Sequence, residues 1–394
     1  MNPPQIDMRT ARLLVPIAIA SGIAVRTAST LGATPAASPT GSPPASPAAS
    51  PIAQVDDAGI PQRISSLLKG EDGVYGIMIA REDGKVLYSR NSGLPFLTAS
   101  LYKLILMADI YRKIERGDLG QQDSIELDWS VFGEDGESYF GWDQVGSAFP
   151  LQEYLFAAGA YSSNAAAWTL FTLTSSDDLA QTAADIGLTR TYIIASLSSI
   201  PSWPFAGSAD ATTNDVNLAT AFVESWGAGD ESVSITTPRD MAIYFQALLT
   251  NTLLSPWISR QITAILAQQA VRDRIPALLP ANTPTINKTG NLDSIVNDAG
   301  IIDLPSGPRI VILLSEAMPD DTRATLILQR LALIATGATV IPPLDVPDPA
   351  GLDTIDTTDP STWAPEDDGS DDTESGEDGD QSDAEPTELP DDGD

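Results

Sequence analysis

The residues of this chain that are best suited to nucleophilic chemistry are a serine and a lysine three positions apart, Ser100 and Lys103. The 394-residue chain contains no histidine and no cysteine. Their absence excludes thiol nucleophiles, disulfides, zinc or haem sites built on these side chains, and every serine–histidine–aspartate arrangement. Acid–base chemistry must therefore depend on Asp, Glu, Lys, Tyr or a backbone group. Lysine, of which there are five, is the best candidate for activating a hydroxyl group.

Ser100 precedes a strongly apolar segment, LYKLILMADIYRKI, which is predicted to be a helix. The spacing places Lys103 on the same face, about one turn further along. The start of a helix favours an oxyanion, and burial lowers the pKa of a lysine toward that of a useful base. A helix-capping serine beside a lysine that reaches solvent is an equally acceptable interpretation. Ser66 and Lys69 have the same spacing but lie in a short leading helix without this setting.

Two further motifs carry polar side chains of the right types. Lys288-Thr289-Gly290 falls where a strand is expected, and a glycine in a strand lets a substrate backbone approach closely. Ser162-Ser163-Asn164 interrupts a helical region. Taken alone, this second motif is better explained as a loop whose serines cap a helix.

The elements that must position these motifs follow from hydrophobic periodicity and turn residues. Strands are expected at Val74–Ala80, Lys85–Arg90, Thr285–Asn287, Ala299–Leu304 and Arg309–Ser315, with turns at Asp83-Gly84 and Ser306-Gly307. Helices are expected at Ile60–Lys69, Leu101–Arg116 and Asp321–Ala335, and residues 120–270 are predicted to be nearly all helix. The predicted fold class is α/β, of the α+β type. One antiparallel sheet is flanked by the terminal helices, an all-helical lobe lies alongside, and a site is sought in the cleft between them.

The ends of the chain have a different composition from the middle. Residues 1–33 contain two arginines followed by an apolar run of signal-peptide length, which predicts a signal peptide or an N-terminal anchor. Residues 34–54 are rich in Ala, Ser and Pro and predict an extended linker, whereas residues 55–342 have the composition of a folded domain. Residues 343–394 predict a disordered acidic tail, because 20 acidic and no basic residues follow Leu344. A net charge of −33 with no basic cluster argues against nucleic acid as a partner.

In the order S-x-x-K, S-x-N, K-T-G, the three motifs resemble those of the penicillin-recognising serine acyltransferases, and most closely the class A β-lactamases. Thr236-Thr237-Pro238, which opens a predicted helix, and Asn297-Asp298, at the start of the strand after K-T-G, extend the resemblance over residues 55–340. The resemblance implies a β-lactamase/transpeptidase-like fold with no cofactor and no metal.

The resemblance also implies roles for individual residues. Ser100 would be the acylating nucleophile, and Lys103 its general base or proton relay. Ser162 would pass a proton to the leaving nitrogen, and Asn164 would hold both Lys103 and the side-chain amide of the substrate.

On the predicted strand, Lys288 would supply a positive field for the substrate carboxylate and Thr289 would hydrogen-bond to it. Gly290 would leave space for the substrate. The backbone N–H groups of Ser100 and Asn291 would form the oxyanion hole.

Two features depart from the class A pattern. Ser163 stands where those enzymes usually carry aspartate, a change that penicillin-binding relatives with an S-x-N motif tolerate. No glutamate lies between Ile186 and Ala221, where class A enzymes place the base for deacylation. Glu134 and Glu137 lie on a loop that could overhang the cleft, but the favoured interpretation is that they are solvated loop acids. Without a positioned base for water, acylation would proceed while deacylation is slow.

We therefore expect an exported serine hydrolase of the class A β-lactamase type, active outside the cytoplasm or at the cell envelope, that opens β-lactam amides through an acyl-serine. One alternative is a penicillin-binding, D-Ala-D-Ala peptidase-like protein or slow acyl trap, and another is a non-catalytic envelope scaffold. The expected partner is a β-lactam or a peptidoglycan-peptide-like small molecule. A monomer held near the membrane or wall by its N-terminus is the expected arrangement.

Overall fold

The computed structural model describes residues 56–132, 137–201, 209–227 and 232–344. The predicted signal peptide or anchor, the Ala/Ser/Pro-rich linker and the acidic tail beyond Leu344 lie outside the described residues. Within the described ranges, no helix combines the length and the apolar character needed to cross a membrane.

The helices in chain order are α1 (Ile60–Leu67), α2 (Tyr102–Arg116), α3 (Leu151–Ala160), α4 (Asn164–Phe171), α5 (Ser176–Ile186), α6 (Thr213–Trp226), α7 (Pro238–Leu249), α8 (Pro256–Leu266) and α9 (Asp321–Ala335). The strands are β1 (Val74–Arg81), β2 (Val86–Arg90), β3 (Phe96–Leu97), β4 (Ser124–Glu126), β5 (Ala148–Pro150), β6 (Tyr192–Ser196), β7 (Ser232–Thr236), β8 (Thr285–Leu292), β9 (Ile295–Ile302) and β10 (Arg309–Glu316).

The main sheet has five antiparallel strands in the order β2-β1-β10-β9-β8. Two of its hairpins, β1–β2 and β9–β10, turn where glycine permits a left-handed backbone, at Gly84 with φ 79° and at Gly307 with φ 103°. Both turns confirm the sequence prediction. Because β1 and β10 are first and last in sequence yet pair along eight residues, the sheet joins the two ends of the domain.

The main sheet is covered on both faces, which explains why β10 is buried along its whole length. Tyr75, Ile77 and Val311 pack in one core with α1 and α9, as predicted for the terminal helices. The alternating residues on the other face, among them Ile310 and Ile312, belong to a larger core that includes α2 and the helical lobe.

The chain between β2 and β8 contains short strands that the sequence prediction omitted. β4 pairs with β5, and β3, β7 and β6 form a separate three-stranded sheet. These strands have two to five residues, and β6 and β7 are separated in sequence by helix α6. Such short runs have no readable period-2 pattern, and their pairing partners are distant in sequence.

Two strands were also predicted to be too short at one end. β8 continues through the K-T-G tripeptide to Leu292, and β9 begins at Ile295 rather than at Ala299. Asn297 and Asp298, which the prediction placed at the beginning of a strand, therefore lie inside β9 and are fully buried. Polar residues of this kind interrupt an apolar pattern, and only their buried hydrogen bonds reconcile them with a central strand.

The segment between α5 and α7 (residues 187–237), called here the α5–α7 segment, forms a third core with the chain just before Ser100. Leu97 and Ala99 pack there with Val223 of α6 and Ile235 of β7. The segment therefore supports the nucleophile region from one side.

Candidate active site

Ser100 lies in a single 3-10 turn, Ala99–Leu101, that leads directly into α2. Its side chain is half-buried, whereas the residues on either side of it are buried. Ala99 has a φ of 44°, in the left-handed region that alanine seldom adopts. Strained conformations of this kind persist only where surrounding contacts fix them, and they cluster at functional sites.

Buried polar side chains of the main sheet fix this strained segment. Asn297 Nδ2 donates to Leu97 O (3.0 Å) and Thr98 O (3.4 Å), while Asn297 Oδ1 accepts from Ser315 N (2.9 Å). Leu97 N donates to Glu316 Oε2 (3.4 Å). Burial raises the pKa of Glu316 well above its usual value, which favours the neutral form of this carboxyl.

β8 passes directly beside the nucleophile. A methyl group placed on Gly290 would lie 2.8 Å from Thr98 O and 3.1 Å from Ser100 N. The K-T-G strand and the Ser100 turn are therefore in backbone contact. The close approach that the sequence analysis expected of a substrate at Gly290 is made here by the chain's own backbone. Thr289 is buried, and Asn291 lies at the exposed end of the same strand.

The Ser162-Ser163-Asn164 motif stands at the start of α4. Ser163 Oγ accepts from Ala166 N (2.9 Å), so the interpretation as a helix cap is correct for Ser163. Ser162 has a φ of 62°, and both Ser162 and Asn164 are half-buried. Their side chains, unlike that of Ser163, contact the two buried lysines.

The hydroxyl of Ser162 bridges the amines of Lys103 and Lys288. Lys288 Nζ donates to Ser162 Oγ (2.8 Å) and to Thr289 O (2.9 Å). Lys103 Nζ lies 3.4 Å from Ser162 Oγ, donates to Asn164 Oδ1 (2.8 Å), and also donates to the backbone carbonyl of Ser162. Residues from all three motifs thus meet at one point.

Both lysine side chains are fully buried, and burial shifts their proton affinities. Desolvation lowers the pKa of Lys103 to about 7, against the opposing attraction of Glu137. Desolvation also lowers the pKa of Lys288 well below its usual value, and the positive charges of Lys103 and Arg274 add to this effect. Asp298 acts in the opposite direction on Lys288. A substantial fraction of Lys103 is therefore uncharged near neutral pH.

Glu137 does not lie free in solvent as the sequence interpretation favoured. The residue is half-buried, and its carboxylate accepts from Tyr139 N (2.9 Å) and from Ala165 N (2.8 Å) at the start of α4. The N–H groups of a first helical turn lack partners within the helix, which explains why a carboxylate is held there. Glu134 lies outside the described residues.

Two acids of the α5–α7 segment, Asp210 and Asp215, have structural contacts. Ser92 N donates to both carboxylate oxygens of Asp210 (3.2 Å each), and Asn91 Nδ2 donates to Asp215 Oδ2 (3.2 Å). Both aspartates therefore attach the segment to the turn that follows β2.

Sequence reasoning missed Arg274 and underestimated Asp298. Arg274 Nη1 donates to Asn297 O (3.1 Å), and Asp298 accepts from Ile275 N (2.9 Å) and from Asn287 Nδ2. Burial raises the pKa of Asp298 to about 6. Arg274 lies in a segment without periodicity, so no local pattern indicated that it would be buried beside β9. In contrast, Ser66 and Lys69 are both exposed on and just after α1.

The chain matches the model of the β-lactamase enzyme family over residues 60–338. No curated protein is significantly similar to it. Solved structures with the same fold include a β-lactamase from Sphaerobacter thermophilus (24% identity, TM-score 0.57, covering 73% of this chain and 100% of that one). A class A β-lactamase from Mycobacterium abscessus shares the fold at 21% identity, with a TM-score of 0.56, covering 71% of this chain and 100% of that one. PBP-A shares it at 18% identity, with a TM-score of 0.56, covering 71% of this chain and 95% of that one. Because the family match spans well over half of the sequence, this chain belongs to the β-lactamase enzyme family.

Proposed function

We propose that this protein is an exported serine hydrolase of the class A β-lactamase type, in which β-lactam amides acylate Ser100. The observation that carries the proposal is the Ser162 hydroxyl held between the amines of Lys103 and Lys288, in a site whose β8 strand touches the Ser100 turn. Export rests on the character of residues 1–33 alone.

In the proposed acylation step, neutral Lys103 Nζ removes the Ser100 hydroxyl proton as Ser100 Oγ attacks the lactam carbonyl. A C–O bond forms and the carbonyl π electrons move to oxygen. A pKa of about 7 leaves a substantial fraction of Lys103 neutral near pH 7 and keeps its conjugate acid strong enough to return the proton. The backbone N–H groups of Ser100 and Asn291 would stabilise the oxyanion.

The second half of acylation needs a proton at the leaving nitrogen. The proton from Lys103 passes through the Ser162 hydroxyl, because that hydroxyl already lies between both amines. The C–N bond then breaks, which leaves an ester on Ser100 and a neutral amine. Lys288 and Thr289 would bind the substrate carboxylate, and Asn164 its side-chain amide.

A second candidate, the slow acyl trap or peptidase-like protein, shares these steps but differs in deacylation. It is favoured by the absence of any glutamate between Ile186 and Ala221. A point mutant of PBP-A, which shares this fold at 18% identity, was solved as an acyl-enzyme complex with penicillin G. Both candidates require an acyl ester on Ser100, so they are separated by turnover and not by acylation.

The test combines the purified chain with a chromogenic cephalosporin and with benzylpenicillin, and follows hydrolysis and intact mass. Continued turnover that Ser100→Ala abolishes supports the hydrolase, and a persistent one-to-one adduct on Ser100 supports the acyl trap. Ser66→Ala is the matched control, because Ser66 has the same spacing to a lysine but is exposed on α1. Absence of both adduct and turnover would refute the proposal and leave the non-catalytic scaffold.

A further inference from the structure

The segment ahead of α3 brings a carboxylate to the lysine side of the site. Glu137 is fixed by two backbone N–H donors, one of which, Ala165 N, belongs to the residue after Asn164. The Asn164 side chain is itself 2.8 Å from Lys103 Nζ. The same segment is attached to the residue before Ser162, because Ser138 Oγ donates to Tyr161 O (2.8 Å). The position of the carboxylate relative to Lys103 is therefore fixed from both sides.

We propose that Glu137 is a positioning residue for the acylation chemistry, a fixed negative charge that controls how strongly Lys103 holds its proton. This inference rests on the proposed function. The inference assigns an electrostatic influence on Lys103 to Glu137, which lies ahead of α3. The α5–α7 segment supplies no glutamate between Ile186 and Ala221 that could exert such an influence.

The ionisable groups that face Lys103 come from three parts of the chain. Glu137 raises the pKa of Lys103 and partly offsets the larger effect of burial. Lys288 of β8 shares the Ser162 hydroxyl with it, and the two positive charges repel. Tyr102, on the same helix, has its ring centroid 5.7 Å from Lys103 Nζ, and burial raises the pKa of this phenol so that it stays neutral. Among these groups Glu137 carries the negative charge.

Two consequences follow for the reaction. Because a nearby carboxylate favours the ammonium form, replacing Glu137 by a neutral residue makes Lys103 lose its proton at lower pH. Acylation needs the neutral amine, so the rate below the midpoint rises while the plateau at higher pH changes little. A residue with a merely structural role would lower the rate at every pH and leave the midpoint in place.

The decisive experiment titrates the lysines directly in the intact chain. With only five lysines, ¹³Cε labelling gives a spectrum in which the Lys103 resonance is assigned from its loss in Lys103→Arg. In Glu137→Gln, Lys103 should titrate at lower pH than in the wild type. In Glu137→Asp, which keeps the charge, the Lys103 midpoint should return most of the way to the wild-type value. Glu153→Gln is the control, because Glu153 is a half-buried acid that accepts from the Tyr139 hydroxyl in the same region.

The kinetic readout is the rate of adduct formation with benzylpenicillin between pH 5 and pH 9. At pH 5.5 the Glu137→Gln variant should react roughly threefold faster than the wild type, or more. An unchanged Lys103 titration in folded Glu137→Gln overturns the inference, and so does an equal shift in Glu153→Gln. If Glu137→Gln does not fold, Glu137→Ala, which also removes the charge, takes its place: a Lys103 titration at lower pH than in the wild type supports the inference, and an identical one overturns it. If the wild type shows neither adduct nor turnover at any pH, the proposed function fails, while the lysine titration still decides the role of Glu137.

Discussion

Replacing Gly290 by alanine tests whether β8 truly sets the position of the nucleophile. The added methyl group would lie 2.8 Å from Thr98 O, 3.1 Å from the Ala99 methyl group and 3.1 Å from Ser100 N. Atoms in ordinary contact lie about 3.5–4.0 Å apart, so the two backbones must separate by several tenths of an ångström. None of the three neighbours is the end of a flexible side chain. The strand and the Ser100 turn therefore have to move apart.

The expected effect on the rate is larger than the effect on stability. Overpacking costs about 1–3 kcal/mol of unfolding free energy, whereas a misplacement of about 1 Å lowers a rate by about a hundredfold. We expect Gly290→Ala to remain folded, to lose a few degrees of Tm, and to form the benzylpenicillin adduct at least tenfold more slowly than the wild type.

The assay pairs differential scanning calorimetry with time-resolved intact mass. Gly159→Ala is the matched control, because its methyl group would meet the side chains of Ile265 (2.4 Å) and Met107 (2.9 Å) in the helical core instead. That variant should lose comparable stability with little change in acylation. If folded Gly290→Ala forms the adduct at the wild-type rate, the reasoning is refuted, because the contact between β8 and the Ser100 turn would then not control acylation.

Three further predictions follow from buried polar groups. The acylation rate of the wild type should rise with pH around a midpoint near 7, because Lys103 must lose its proton to act as a base, and a stopped-flow pH series would check this. Binding of a carboxylate ligand should take up protons, because an anion beside Lys288 raises a pKa that burial holds low, and calorimetry in buffers of different ionisation enthalpy would measure the uptake. Asn297→Leu should lower the free energy of unfolding, measured by urea denaturation, by about 1–3 kcal/mol and slow acylation, because Leu97 O and Thr98 O lose their donor. An unchanged acylation rate would show that Asn297 does not position the nucleophile.

The local features of the fold were predicted where short-range chemistry decides them. The predicted helices Leu101–Arg116 and Asp321–Ala335 agree with α2 and α9 to within one residue. Their ends are set locally, because Gly117 in the left-handed region ends α2 and Asp320 caps α9. The short strands β4 to β7 were not predicted, because their stability comes from partners far along the chain. The same reason explains Asn297 and Asp298, whose burial makes sense only with the hydrogen bonds that neighbouring strands and the Arg274 segment provide.

The candidate site shows the same division. The sequence indicated Ser100, Lys103 and Lys288 from their types and spacing, and Ser162 and Asn164 from the resemblance of the three motifs to a known family. The structure places the side chains of the last four in chain order, Lys103, Ser162, Asn164 and Lys288, in one hydrogen-bonded group. The sequence could not indicate which acid would be held by the residue next to Asn164, whose side chain contacts Lys103. In the sequence, Glu137 has the character of a solvated loop acid. The N–H donor that holds it belongs to the first turn of α4, which is distant in sequence.

The amino-acid sequence by itself determined the chemistry that is available to this protein, because the absence of histidine and cysteine leaves lysine as the best base for a serine. It also determined the hairpin turns and helix ends, which depend on a few neighbouring residues. Only the tertiary structure decided that a hydroxyl would join two amines whose residues are 185 positions apart, and that Glu137 would be held by the residue after Asn164, whose side chain contacts one of those amines. Contacts of that kind depend on how the sheet and the helical lobe pack, which no local pattern contains.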